Sequence, residues 1–226
     1  MRVLAIDTLM QGCCVGCYDS EAGQSFSIMK EIERGHAEVL VPMIDDLLRK
    51  VRWRYADIDL IGVTTGPGAF TSLRIGLSTV KALSLSLDKP AIGVSSFDLI
   101  YALYGKEYNG NICILLETKR GDYYMALYSS NGEVIKAGVC DETQLLSDLE
   151  EHNTSCVIGD AVERFQEECG YNCEFLILKT IDIERFSLWL AQEDSSIFTD
   201  SKLEPLYLRE ADISQPKKKL RKLKVL

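Results

Sequence analysis

Apolar and polar positions follow two periods along this 226-residue chain. Short runs rich in apolar residues, Val3 to Ile6, Cys13 to Tyr18 and about Gln24 to Met29, predict three strands. Asp19 to Gly23 supplies turn residues between the last two. From near Gly35 to Val51 the period changes. Ala37, Leu40, Val41, Ile44, Leu47, Leu48 and Val51 recur at the spacing of one buried helical stripe. Burying that stripe contributes on the order of 10 kcal/mol before chain entropy is subtracted. Pro42 lies inside the pattern and predicts a kink or a late helix start. Val39 and Met43 fall off the stripe, beside Asp46 and Lys50, and are expected to face outward as a partner surface.

A fourth strand is predicted over Ile58 to Val63 and a second helix over Thr71 to Leu87. Thr64-Thr65-Gly66-Pro67-Gly68-Ala69-Phe70 joins them. Glycine reaches unusual dihedrals and proline fixes φ, so Gly-Pro-Gly swings the chain sharply from sheet to helix. Two uses fit such a junction: a cradle of backbone N–H groups for an anion, or a hinge that launches the helix. Thr71 or Ser72 is the expected N-cap. Leu73, Leu77, Val80, Leu83 and Leu87 form one apolar side of this helix. Gly76, Ser78, Thr79, Ala82, Ser84 and Ser86 are small and admit a closely packed neighbour. Arg74 and Lys81 line an adjacent flank suited to pairing with acids on that neighbour.

The pattern then begins again. Leu4-Ala5-Ile6-Asp7-Thr8 has a counterpart in Ile114-Leu115-Leu116-Glu117-Thr118. Tyr18 and Tyr128 follow the respective acids at the same spacing, and turns follow at Asp19 to Gly23 and Ser129 to Gly132. Each half opens with a strand ending in an acid, then a hairpin. Strands at Cys156 to Gly159 and Phe175 to Leu178, helices at Ala161 to Glu168 and Ile183 to Gln192, and an extended Pro205 to Arg209 complete the second half. The expected class is α/β, with two lobes joined near Tyr104 to Asn111. Their bounds are residues 1–106 and 107–216, followed by a tail at 217–226.

Composition narrows the function classes. With 46% apolar and 26% charged residues the chain has material for a proper core. No run approaches the roughly 18 apolar residues of a membrane span, and the N-terminus lacks the long apolar region of a signal peptide. A cytoplasmic location is expected. The eight cysteines are then thiols. Cys14 and Cys17 have a C-x-x-C spacing, but in a strand they face opposite sides of the sheet. His36 and His152 are too few to complete a four-ligand zinc site. The net charge is −9, even though Lys217 to Lys224 carries six cations. An acidic body is not the footprint of a broad nucleic-acid face.

Several segments, in chain order, resemble a known family. They are Ala5-Ile6-Asp7-Thr8, His36-Ala37-Glu38, Gly66 to Gly76, Gly93-Val94-Ser95-Ser96 and Pro205-Leu206-Tyr207-Leu208-Arg209-Glu210-Ala211-Asp212. Two lobes opening with strand, acid and hairpin resemble the actin-like (ribonuclease H-like) fold, and the segments resemble the TsaB (YeaZ) family within it. The chain departs from the family pattern at Leu9, Ala37, Ala69, Ser72 and Glu117 to Arg120. The resemblance implies two actin-like lobes, each a mixed sheet flanked by helices. It also implies a non-catalytic scaffold needed for threonylcarbamoylation of the adenosine beside the anticodon in ANN-reading tRNAs. The implied partners are a TsaD-like catalytic subunit and a TsaE-like ATPase, with a homodimer when the chain is alone and tRNA met only through the complex. No cofactor is expected on this chain; ATP and a metal ion belong to the partner subunits. The heterodimer contact is implied on the first two helices. Periodicity places Val39, Met43, Asp46, Arg74, Ser78 and Lys81 there.

The residues agree mainly by what they lack. A histidine pair on one helix, able to hold a catalytic metal, cannot be built around His36. Phosphate-binding glycines are expected directly after each acid of an actin-like ATPase. Here Asp7 is followed by Thr8, Leu9 and Met10, and Glu117 by Thr118, Lys119 and Arg120. Asp7 is read as a relic of the nucleotide position. No Ser/His/acid or Cys/His arrangement supports a protease. The rival expectation is an active small-molecule kinase or ATPase of the same superfamily. With the phosphate glycines missing, the Gly-Pro-Gly turn reads as a hinge aiming Arg74, Ser78 and Lys81 at a partner.

Overall fold

A computed structural model describes residues 1–168, 170–193 and 203–209. The basic tail and Glu210 to Asp212 lie outside the described residues. The first half runs β1 (Arg2–Asp7), β2 (Cys13–Asp19), β3 (Gln24–Lys30), α1 (His36–Val51), β4 (Leu60–Thr64), α2 (Phe70–Leu87), β5 (Ala91–Val94) and α3 (Ser96–Tyr104). The second runs β6 (Asn111–Glu117), β7 (Tyr123–Tyr128), β8 (Val134–Cys140), α4 (Glu142–Glu151), β9 (Thr154–Gly159), α5 (Val162–Glu168), β10 (Glu174–Ile177) and α6 (Ile183–Gln192).

The repeat read from the two acids is structural. One sheet has the order β3-β2-β1-β4-β5 and the other β10-β9-β6-β7-β8, the same topology written in reverse. In each, an antiparallel meander feeds two parallel strands through crossover helices. Side chains alternate across each strand. Val3 and Ala5 of β1 enter one core, and Leu4 and Ile6 another.

Three cores result, and they stack as layers. α1 and α2 cover the outer face of the first sheet. α4 and α5 cover the outer face of the second. Between the sheets lies a central core holding Phe97, Leu99, Ile100 and Leu103 of α3 with Ile183, Phe186 and Leu190 of α6. These two helices are exchanged. α3, from the first half, packs on β6, and α6, from the second, packs on β1, β2 and β3. The first sheet is shaped to receive α6. A Cβ on Gly62 would stand 2.1 Å from Leu190 Cδ1, and one on Gly16 would stand 2.8 Å from the Ile183 carbonyl oxygen. At Gly16 the neighbour is backbone and only glycine fits, and at Gly62 a side chain would displace the buried end of Leu190.

Three expectations about the helices need correction. The buried face of α1 is His36, Leu40, Met43, Ile44, Leu47 and Leu48. Met43 is therefore core, 6% exposed, and Val39 is half-buried against the same core. Ala37 and Val41, placed on the stripe by periodicity, are instead exposed. Pro42 does not delay the start, because α1 runs through it from His36, with Gly35 at φ 88° as N-cap. Nor do Thr71 or Ser72 cap α2. Its N-cap is Ala69, which offers no side-chain bond. Ser72 is buried, with Oγ 3.5 Å from His36 Nδ1.

Candidate functional site

The parallel strands of both sheets point their C-terminal ends at one crevice, the position where open α/β sheets bind ligands. A cavity of about 430 Å³ lies there, lined by Leu9, Met10, Gly68, Lys119, Asp160 and Tyr207 among others. Two pairs of strand ends flank it; Glu117 and Asp160 line the cavity, and Asp7 lies buried beneath it. β1 ends at Asp7 beside the end of β4, and Thr64 Oγ1 donates to Asp7 Oδ1 at 2.5 Å. β6 ends at Glu117 beside the end of β9, and Glu117 N–H donates to Asp160 Oδ1 at 2.9 Å.

Each acid has a different environment. Asp7 is buried, and burial raises its pKa against the opposing pull of Thr64 and the amides of Leu9, Met10 and Thr8. Glu117 accepts two bonds from Arg164, at 2.8 and 3.2 Å, and the guanidinium lies 3.9 Å over the Tyr123 ring. Burial pushes Asp160 up to about 6, aided by the charges of Glu117 and Asp7. His36 has its pKa lowered by burial, so the imidazole is neutral at pH 7.

The loop after β1 is closed to an anion. An actin-like phosphate loop needs unspent backbone donors. Here the N–H groups of Thr8, Leu9 and Met10 are turned toward the Asp7 carboxyl and oppose the rise in its pKa. Gln11 N–H donates to Lys179 O at 3.1 Å and Gly12 N–H to Met10 O at 2.8 Å. Leu9 and Met10 are buried, and the Leu9 side chain sits against Gly68 of the Gly-Pro-Gly turn. That turn is held from the other side by residues 203–209, where Leu206 N–H donates to Thr65 O at 2.7 Å.

A second candidate surface lies on the outside, along α1 and α2. Thr71, Arg74, Ser78, Lys81, Ala82 and Leu85 form an exposed stripe at helical spacing on α2. Leu85 is 86% exposed. A shallow groove between the start of α1 and α2 is lined by Ala37, Phe70, Thr71, Arg74, Ile75 and Ser78. Of the residues named from sequence, Arg74, Ser78, Lys81 and Asp46 are exposed. Asp46 pairs with Arg49 at 3.0 Å, a surface contact of small energetic weight. Met43 and Val39 do not join this face. Val41, Ala37, Leu85 and Phe70 supply its apolar character and were not assigned to it from sequence, and Asp160 was not named at all. For Asp160 a signal existed, since it directly follows β9 much as Thr64 ends β4.

The buried cysteines add no chemistry here. Burial pushes the Cys13 thiol up to about 12 and Cys17 up to about 11, far from a reactive thiolate. Among the described residues no group of three or more His, Cys, Asp or Glu converges as a metal site. No described helix is long and apolar enough to cross a membrane.

The two sheets of common topology around a crevice define an actin-like fold. A Bacteroides thetaiotaomicron protein described as having an actin-like ATPase fold aligns with TM-score 0.51 over 85% of this chain and 96% of its own, at 12% identity. YeaZ from Pseudomonas aeruginosa aligns with TM-score 0.72 over 92% of this chain and 99% of its own, at 22% identity. The family model described as TsaD: tRNA N6-adenosine threonylcarbamoyltransferase matches residues 29–183, and the chain belongs to that family. Within it the chain is similar to the Bacillus subtilis tRNA threonylcarbamoyladenosine biosynthesis protein TsaB, 30% identical over 150 residues. That match covers 66% of this chain and 64% of the relative's own length.

Proposed function

We propose that this chain is a non-catalytic subunit for tRNA threonylcarbamoyladenosine synthesis. In this reading it docks on a TsaD-like catalytic subunit through the outer face of α1 and α2, and a TsaE-like ATPase joins the pair. The metal ion and ATP act on those partners, in the cytoplasm, and tRNA is reached through the assembly. Alone, the chain pairs with itself through the same face. The observation that carries the reading is the closed loop after β1. The amides of Thr8, Leu9 and Met10 are turned toward the Asp7 carboxyl, those of Gln11 and Gly12 are hydrogen-bonded within the protein, and Leu9 and Met10 bury their side chains where a phosphate would need open backbone. A face with exposed Leu85 and Val41 flanked by Arg74 and Lys81 supports docking.

The rival reading, an active kinase or ATPase, draws on the cavity and on Asp160, whose pKa near 6 suits a proton acceptor at neutral pH. One purification separates them. The chain co-expressed with a TsaD-like subunit is expected to co-purify with it, and alone to hydrolyse no ATP with Mg²⁺. Turnover of order 1 s⁻¹, in the ordinary enzyme range, would replace the scaffold reading with the enzymatic one.

A further inference from the structure

Phe70, the first residue of α2, lines both concave features: the interlobe cleft and the groove between α1 and α2. Its ring stacks on Tyr207, with centroids 5.0 Å apart at 28°. The Arg74 guanidinium lies 3.7 Å over Phe70, and Arg74 Nε donates to Tyr207 OH at 3.0 Å. Phe70 and Tyr207 are each 42% exposed, so two aromatic rings and an arginine stand half out of the surface beside the helical face. These residue types dominate binding energy where partners meet.

Tyr207 reaches this face from far along the chain. Residues 203–209 deliver it, and both flanks of Tyr207 are tied down. Leu206 bonds to Thr65 in the first lobe, and Arg209 pairs with Asp122 between β6 and β7 of the second. The approach at Thr65 is tight: a Cβ on Gly66, at φ +112°, would stand 2.9 Å from the Leu206 carbonyl oxygen. One short segment thus fastens the start of α2 to both lobes.

We infer that Phe70, Arg74 and Tyr207 extend the docking surface of α1 and α2, and that residues 203–209 couple docking of the TsaD-like subunit to the relative placement of the two lobes. The inference rests on the proposed docking face. The partner surface it calls for carries an apolar stripe opposite Val41 and Leu85, with carboxylates opposite Arg74 and Lys81. A partner that buries Tyr207 holds the segment down, and the Arg209–Asp122 pair passes that restraint to the second lobe. Coupling of this kind is reciprocal. A lobe arrangement that keeps Arg209 on Asp122 presents Tyr207 to the partner.

Titration calorimetry of the full chain with the TsaD-like subunit tests this, using Tyr207→Ala, Tyr207→Phe, Arg209→Ala and Leu85→Glu. Leu85 reports on the helical face alone. Tyr207→Ala and Leu85→Glu are expected to weaken binding by about tenfold or more, as truncation or charge at an anchor does. Tyr207→Phe keeps the ring stack and is expected within about twofold of the parent. Arg209→Ala is expected to weaken binding roughly fivefold; because the Arg209–Asp122 pair is part-buried, the melting temperature of the isolated chain is measured alongside to separate lost binding from lost stability. Parent-like binding by Tyr207→Ala and Arg209→Ala, with Leu85→Glu defective, would overturn the coupling and leave the docking face standing. Parent-like binding by all the variants would overturn the docking face and the coupling together.

Discussion

At the scale of single residues, the sharpest consequence is electrostatic. The Asp160 carboxyl has its pKa raised to about 6 in the folded chain, against about 3.9 for an unperturbed aspartate. The folded state therefore holds its proton more tightly than the unfolded state between those values. Stability falls as pH rises through that window, and the penalty is complete above pH 6. Asp160→Asn keeps the oxygen that accepts from Glu117 N–H and removes the charge. The variant is expected to be more stable than the parent by about 2 kcal/mol at pH 7.5, and no more stable at pH 4. Urea melts at the two pH values measure the difference. An equal gain at both would refute desolvation as its source. Asp7 was legible from sequence as a strand-end acid, but its closure was not. Which amides bond to it depends on the path of residues 8–12, and no residue identity fixes that path.

At the scale of elements, strands were legible as short apolar runs bounded by turn residues. β1, β2 and β4 are buried on both faces, so continuous apolar runs mark them, and they and β3 keep their expected places. α1 was located correctly, yet its face was misread. Ala37, Val41 and Val51 fit the apolar stripe as well as Met43 does, and periodicity cannot decide which edge of a broad stripe meets the sheet. Docking settles it: Met43 packs in the core with Leu40, Ile44 and Leu47. Two substitutions one turn apart or less are thus expected to behave oppositely. Met43→Ala, at 6% exposure, costs about 2–4 kcal/mol by chemical melting. Val41→Glu, at 46% exposure, changes stability by less than about 0.5 kcal/mol but abolishes pull-down of a TsaD-like subunit. A destabilised Val41→Glu with intact Met43→Ala would invert the assigned face. α3 and α4 were missing from the sequence reading. α3 touches apolar neighbours on several sides, so it shows no polar face to announce its period.

For the whole molecule, the repeat was visible but the exchange was not. Two acids at equal distances from two tyrosines announce two similar sheets. Nothing in that pattern says that α6 belongs on the first sheet and α3 on the second. Long-range partnership of this kind is carried by shape, as in Leu190 over Gly62 and Ile183 over Gly16. Each half therefore lacks the helix that covers its inner face. Residues 1–106 and 107–226 made as separate polypeptides are expected to be largely unfolded by circular dichroism and to regain helical signal on mixing. Independent two-state melting of either half would contradict this.

The exchange also orders events during synthesis. Ribosomes add residues from the N-terminus at roughly 5–20 per second. β1 is encoded at residues 2–7, but the helix that seals its inner face is encoded at residues 183–192. For some ten seconds or more the nascent first sheet presents Val3 and Ala5 to the surrounding medium. The newborn chain is thus expected to need shielding of that face until its last described helix is translated, and slowing translation before residue 183 is expected to lengthen the exposure.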